Sequence, residues 1–148
     1  MQEQAVINIL QDQLKFTDQS IDKLKMFETE LLKANRKHNF IAKSTEGFIW
    51  SRHILDSAQL VKYINFNEGS LSDLGSGAGF PGLVLAIHNQ NFNFHVKLYE
   101  KSPIKSAFLS NVSKQLGLNC KIICSNVNSL KIESNHIVCR AFRKLHQI

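Results

Sequence analysis

Cysteine is scarce in this chain, long apolar runs are absent, and no phosphate-cradling GxxxxGK[ST] element occurs. The three cysteines, Cys120, Cys124 and Cys139, are odd in number and follow no small-scaffold spacing. That argues against a disulfide framework and for a reducing compartment. The longest apolar run, residues 83–87 (LVLAI), is far below membrane-spanning length. The amino terminus, MQEQAVINILQDQ, has no basic segment leading into an apolar one. The expectation is a cytoplasmic protein with no membrane contact, and the missing GxxxxGK[ST] element excludes a P-loop.

With 148 residues, 43% of them hydrophobic, the chain can build one core plus an appendage but not two ordinary domains. A formal charge of +6 and a pI near 9.3 favour a polyanionic partner. Apolar positions Val6, Ile9, Leu10 and Leu14 mark one helical face, and Ile21, Leu24, Phe27, Leu31 and Leu32 a second, after a Thr17/Asp18 start signal. A basic connection, residues 35–43 (NRKHNFIAK), leads to a third helical stretch over 45–63, and residues 65–70 (NFNEGS) read as a turn. Beyond it, strands at 71–74, 95–100, 120–124 and 136–140 alternate with helices at 81–88 and 103–116. That alternation predicts an α/β fold with a doubly wound parallel sheet over 67–148, preceded by a helical extension over 1–66.

In an open α/β sheet a ligand sits beyond the carboxyl ends of the strands, where the first strand-to-helix turn must let the backbone approach it. Gly75, Ser76, Gly77, Ala78 and Gly79 form a GxGxG turn in that place, and Pro81 suits a first helical position. Phe80 stands where the dinucleotide fingerprint has glycine or alanine, which disfavours a nicotinamide enzyme. Glu100 ends the second strand, where a carboxylate can accept hydrogen bonds from both hydroxyls of an adenosine ribose. Asp73, just before the turn, is read as either fixing the loop or meeting a ligand ammonium group. The bland alternative is a tight turn plus a surface acid. A Cys3His zinc set from Cys120, Cys124, His136 and Cys139 is not expected, because a sheet ordered 3-2-1-4 separates the third and fourth strands.

Four blocks of residues resemble the glucose-inhibited division protein B family, the bacterial 16S ribosomal RNA guanine-N7 methyltransferases. They are Asn39, Phe40 and Ile41 with residues 52–57 (RHILDS); residues 73–82 (DLGSGAGFPG), with its unusual Phe-Pro-Gly ending; Glu100, Lys101 and Ser102 followed by Lys105, Ala107, Phe108 and Leu109; and Arg140, Ala141 and Phe142. Two departures accompany the likeness. Ser125, Asn126, Val127 and Asn128 replace the family's Gly-Arg-Ala-Glu, and the chain stops after the fourth strand of what is a seven-stranded sheet in the family.

The resemblance implies a Rossmann-like class I S-adenosylmethionine-dependent methyltransferase sheet, truncated after the fourth strand. The cofactor is then assigned to Asp73, Gly75, Ser76, Gly77, Gly79, Phe80, Glu100, Asn126, Val127 and Arg140. Contacts to 16S rRNA or the small ribosomal subunit fall to Arg36, Lys37, Lys43, Arg52, His53, Arg143 and Lys144, and the protein is expected to be a monomer. No residue need transfer a proton, and Arg140 is the candidate that orients the substrate. The alternative is an inactive S-adenosylmethionine-binding or RNA-binding remnant. For Lys101 and Lys105 a solvated helix face is the competing reading.

Overall fold

Leu71, Asp73, Val96 and Leu98 alternate along two short runs of the sequence, and that period of two builds the inner face of a sheet. The computed structural model describes residues 1–140, without the Ser129 side chain. Ala141, Phe142, Arg143 and Lys144, singled out above, lie outside the described residues. The four strands are β1 (Ser70–Leu74), β2 (His95–Tyr99), β3 (Cys120–Ile123) and β4 (His136–Cys139). They pair in parallel in the order β3-β2-β1-β4, with Asp73 opposite Leu98 on one side and Val138 on the other.

Helix α1 (Glu3–Asp12) and helix α2 (Asp18–Asn35) carry the expected apolar stripes, with Val6, Leu10, Leu24 and Leu31 wholly buried. Thr17 caps α2, its hydroxyl accepting from the Ser20 N–H at 3.0 Å. The Ser20 hydroxyl in turn donates to the Ile87 carbonyl at 3.0 Å, tying the start of α2 to the helix that follows β1.

The third helical stretch is broken, contrary to the single helix expected over 45–63. A 3-10 turn (Lys43–Phe48) precedes a π turn (Trp50–Ile54), one α turn, α3 (Leu55–Ala58), and a second 3-10 turn (Gln59–Tyr63). The reason lies in the spacing. Buried Ile49 and Trp50 stand five residues before buried Ile54 and Leu55, an interval that a π turn brings onto one face and a 3.6-residue helix does not.

After β1 comes α4 (Gly82–His88), and after β2 comes α5 (Pro103–Gln115), whose cap Ser102 accepts from the Lys105 N–H at 3.3 Å. Helix α4 is apolar all round and is sandwiched between the sheet and α2, so Leu83, Val84 and Leu85 are fully buried. One hydrophobic core runs from Val6 through the α4 residues to Leu116, joining the helical extension to the sheet. Among the described residues, α4 and α5 lie on the same sheet face, the one bearing Leu98 and Cys120. The other face carries exposed Ile137 and Cys139. No helix among the described residues is long and apolar enough to cross a membrane.

Candidate functional site

Segments that follow the carboxyl ends of all four strands border one cavity of about 590 Å³. Gly75 and Gly77 come from the turn after β1. Tyr99, Glu100, Lys101, Ser102 and Lys105 come from the end of β2 and the start of α5. Ser125, Asn126, Val127 and Asn128 follow β3, and Arg140 follows β4. This is where an open parallel sheet takes a ligand, and the volume is in the range of small-molecule sites.

The glycine turn is held by β2. Gly75 and Gly77 adopt positive φ angles of 74° and 57°, which only glycine enters without strain. The N–H groups of Gly75 and Ser76 both donate to the Tyr99 carbonyl, at 2.8 and 3.0 Å. One residue on, the Glu100 carboxylate accepts from the Gly77 N–H through Oε1 (3.0 Å) and from the Ser102 N–H through Oε2 (2.8 Å). The Ser106 hydroxyl fixes the Glu100 main-chain carbonyl at 2.7 Å. Each carboxylate oxygen has therefore met one donor and keeps lone-pair capacity for another, on a residue only 8% exposed.

Asp73, Ser76, Gly79 and Phe80 do not line the cavity; they shape the loop from within. Of the two roles open to Asp73, the structure builds the first. The side chain is fully buried beneath the turn, where Oδ2 accepts from the Gly82 N–H at 2.8 Å and caps α4. Helix α4 accordingly begins at Gly82, with Pro81 as its cap residue, one position later than expected. Burial pushes the Asp73 carboxyl up to about 7, against the lowering influence of the Ser76 hydroxyl and the Gly82 N–H, and Glu100 adds a smaller rise. Its Oδ1 is buried without a hydrogen-bond partner, which suits a neutral acid better than an ion. Ser76 turns its hydroxyl to the Asp73 main-chain oxygen at 3.3 Å. A Cβ at Gly79 would sit 2.7 Å from Leu83. Phe80 packs inside an aromatic series, 5.3 Å from the Phe27 ring and 5.0 Å from His53.

Arg140, on the cavity wall after β4, is held by groups brought from far apart in the sequence. Arg140 Nη2 donates to His53 Nδ1 at 2.9 Å and to the Arg52 carbonyl at 3.3 Å, and Nε lies 3.6 Å from Asp56 Oδ2. Its guanidinium carbon stands 5.9 Å from the centroid of the Phe80 ring. Burial holds the His53 imidazole below the usual histidine range, the Arg140 charge adds to this, Asp56 opposes it, and Arg52 contributes a further small lowering. Arg36, Lys37, Lys43 and Arg52 are exposed.

Asn35 was read as part of a polar connection and proves to organise it. Its buried Oδ1 accepts from the N–H groups of Phe40 and Ile41 (2.9 and 3.0 Å), and its Nδ2 donates to Glu46. An asparagine ending a helix before a turn was the available signal. Sequence reasoning also missed Tyr99, Ser102, Ser125 and Asn128 on the cavity wall. Lys101 and Lys105, for which a solvated face was the competing reading, line it as well. Cys120 and Cys124 belong to one edge of the sheet and His136 and Cys139 to the other, and among the described residues no three His, Cys, Asp or Glu groups are placed to hold a metal.

A four-stranded parallel sheet with a glycine turn after β1 and a braced acid after β2 is a Rossmann-like arrangement, and a solved structure supports the fold. Coclaurine N-methyltransferase, bound to N-methylheliamine and SAH, matches with a TM-score of 0.51 at 15% identity, over 93% of this chain and 50% of that one. The model of the GidB family, rRNA small subunit methyltransferase G, matches residues 20–148. This chain belongs to that family. Ribosomal RNA small subunit methyltransferase G of Rickettsia prowazekii (strain Madrid E) is 38% identical over 91% of this chain and 69% of its own length. The protein of the same name from Rickettsia felis is 41% identical over 86% and 65%, and that of Pelagibacter ubique 40% over 81% and 59%. The chain thus spans between 59% and 69% of the length of these relatives.

Proposed function

We propose that this chain carries the S-adenosylmethionine-binding part of a methyltransferase whose target is N7 of a guanine in 16S ribosomal RNA. The observation that carries the proposal is the Glu100 carboxylate, braced by the Gly77 and Ser102 N–H groups on the wall of a cavity at the carboxyl end of the sheet.

The residues present fit that cofactor. Glu100 retains acceptor capacity for two ribose hydroxyls, and the missing side chain at Gly77 keeps the wall open, with Gly75 O the nearest atom, 4.0 Å from where a Cβ would sit. Asn126, Val127 and Asn128, in the segment after β3, line the same cavity, where backbone groups can meet an adenine. When bound, S-adenosylmethionine supplies an electrophilic methyl group on a sulfonium centre.

Guanine N7 has an in-plane lone pair and no proton to lose, so the chain has no proton to remove. Its residues act by orientation and electrostatics. Arg140, at the cavity edge, is suited to a phosphate or to the guanine O6, both of which a guanidinium recognises. Exposed Arg36, Lys37, Lys43 and Arg52 are suited to phosphates along the RNA, and such contacts supply affinity that falls with salt and little sequence information. Selectivity then comes from the shape of the RNA or of an assembling small subunit.

The test is calorimetric titration of the chain with S-adenosylmethionine, followed by transfer of labelled methyl to bacterial small-subunit RNA and mapping of the modified base. Binding with N7 transfer is the expected result. Binding without transfer reduces the proposal to a donor-binding unit, and no binding ends it.

A further inference from the structure

We infer that His53 is the positioning residue for Arg140: a neutral imidazole, held from behind by Thr45, accepts the Nη2–H and sets the guanidinium at the edge of the cavity. The effect on RNA rests on the reading of Arg140 as a substrate-facing group; the pairing itself does not.

The direction of each hydrogen bond is fixed by chemistry. A guanidinium has only donors, so at 2.9 Å His53 Nδ1 must present its lone pair to Arg140. The ring proton is then on Nε2, 2.9 Å from Thr45 Oγ1. That hydroxyl has its own proton committed to the Ala42 carbonyl at 2.8 Å, which leaves it an acceptor toward His53. Two independent ends of the chain of bonds thus assign the same tautomer. The ring cannot swing away, because it is stacked on Phe80 at 5.0 Å with the planes 22° apart. Of the contacts to Arg140, the one to His53 is the shortest; Asp56 stands at 3.6 Å with its side chain 59% exposed, where screening weakens it.

The charged groups around the ring are Arg140 from the end of β4, and Arg52 and Asp56 from its own helical stretch; Thr45 and Phe80 complete its surroundings without charge. A proton added at Nδ1 would replace the acceptor with a donor and set a cation against the guanidinium. Arg140 would then be released toward Asp56. The pairing therefore holds only with neutral His53, and burial and the Arg140 charge extend that form to lower pH than in an ordinary histidine.

The test measures affinity for S-adenosylmethionine and for small-subunit RNA across pH, using the full chain with His53→Leu, His53→Asn, Arg140→Ala and the double variant H53L/R140A. His53→Leu should lose about tenfold in RNA affinity, as far as Arg140→Ala does, and the double variant should lose no more than either. His53→Asn, whose Oδ1 takes the place of Nδ1, should recover most of the loss, and whatever donor affinity Arg140→Ala loses, His53→Leu should lose as well. Wild-type RNA affinity should also fall in acid below the usual histidine range, and Arg140→Ala should lack that fall. Additive losses, or wild-type RNA affinity in His53→Leu beside an impaired Arg140→Ala, would overturn the inference. Nitrogen NMR of the imidazole reads the pairing without RNA: the expected spectrum has a bare Nδ1 that Arg140→Ala shifts, and a bare Nε2 or an unmoved Nδ1 refutes the pairing. Should RNA affinity prove independent of Arg140, its substrate-facing role fails, and the nitrogen spectrum alone decides for or against the pairing.

Discussion

The two walls of the cavity are built in opposite ways. On the glycine side the geometry is carried by backbone: Gly75, Ser76 and Gly77 donate N–H groups to Tyr99 and Glu100, residues that adjacent strands deliver automatically once β1 and β2 pair. On the Arg140 side it is carried by side chains from a π turn, a 3-10 turn and a strand end, linked across 87 residues of sequence between His53 and Arg140. The first wall inherits the rigidity of the sheet. The second depends on protonation state and on single side chains, so it is the wall that pH and point substitutions can reset without unfolding the protein.

The sharpest way to break this comparison is from beneath the backbone wall. A Cβ at Gly82 would stand 2.5 Å from Asp73 Oδ2 and 2.8 Å from Leu98 Cγ. Gly82→Ala should therefore destabilise the fold by about 3 kcal/mol, the range of core overpacking, as chemical denaturation will measure. A near-neutral result would mean that α4 moves freely against β2. Next in size, Glu100→Ala removes the acceptor of two backbone N–H groups and should weaken S-adenosylmethionine binding by about 100-fold, read by calorimetry.

Asp73→Asn asks whether the backbone wall carries a titration of its own. Because the folded carboxyl is raised to about 7 from an ordinary value of 3.8, the native state holds this proton more tightly than the unfolded chain. Its contribution to stability is complete below 3.8 and is lost as pH rises to about 7. The difference in Tm between wild type and Asp73→Asn should change across that window and be flat above it; a constant difference would show that Asp73 stays ionised. The smallest effect belongs to the outer edge of the side-chain wall. Arg36→Gln with Lys37→Gln should lower RNA affinity by a few-fold and reduce the slope of its logarithm against the logarithm of salt concentration by about 1 to 2, leaving donor binding alone.

The same contrast explains what could be read from the sequence. The glycine turn and Glu100 were legible because their signals are local, spacing and a carboxylate at a strand end, whereas the 3-2-1-4 order came with the doubly wound fold class that the strand–helix alternation implies. The inward orientation of Asp73 was available too, since it shares a strand face with buried Leu71 two residues before it, but its place beside the glycines suggested a ligand role as well. The π turn was not legible, because Ile49, Trp50, Ile54 and Leu55 also fit a loosely amphipathic α-helix. Nor was the contact between His53 and Arg140, which exists only after the helical stretch docks against the ends of the sheet.

The π turn gives this protein an optical handle. Trp50, the chain's single tryptophan, opens that turn, is only 4% exposed, and lies three residues before His53. Its emission therefore comes from the segment that bears one half of the Arg140 pairing. Titrating the chain with acid, donor or RNA while exciting Trp50 at the red edge, beyond the absorption of Tyr99, follows the segment that bears His53 with no label introduced.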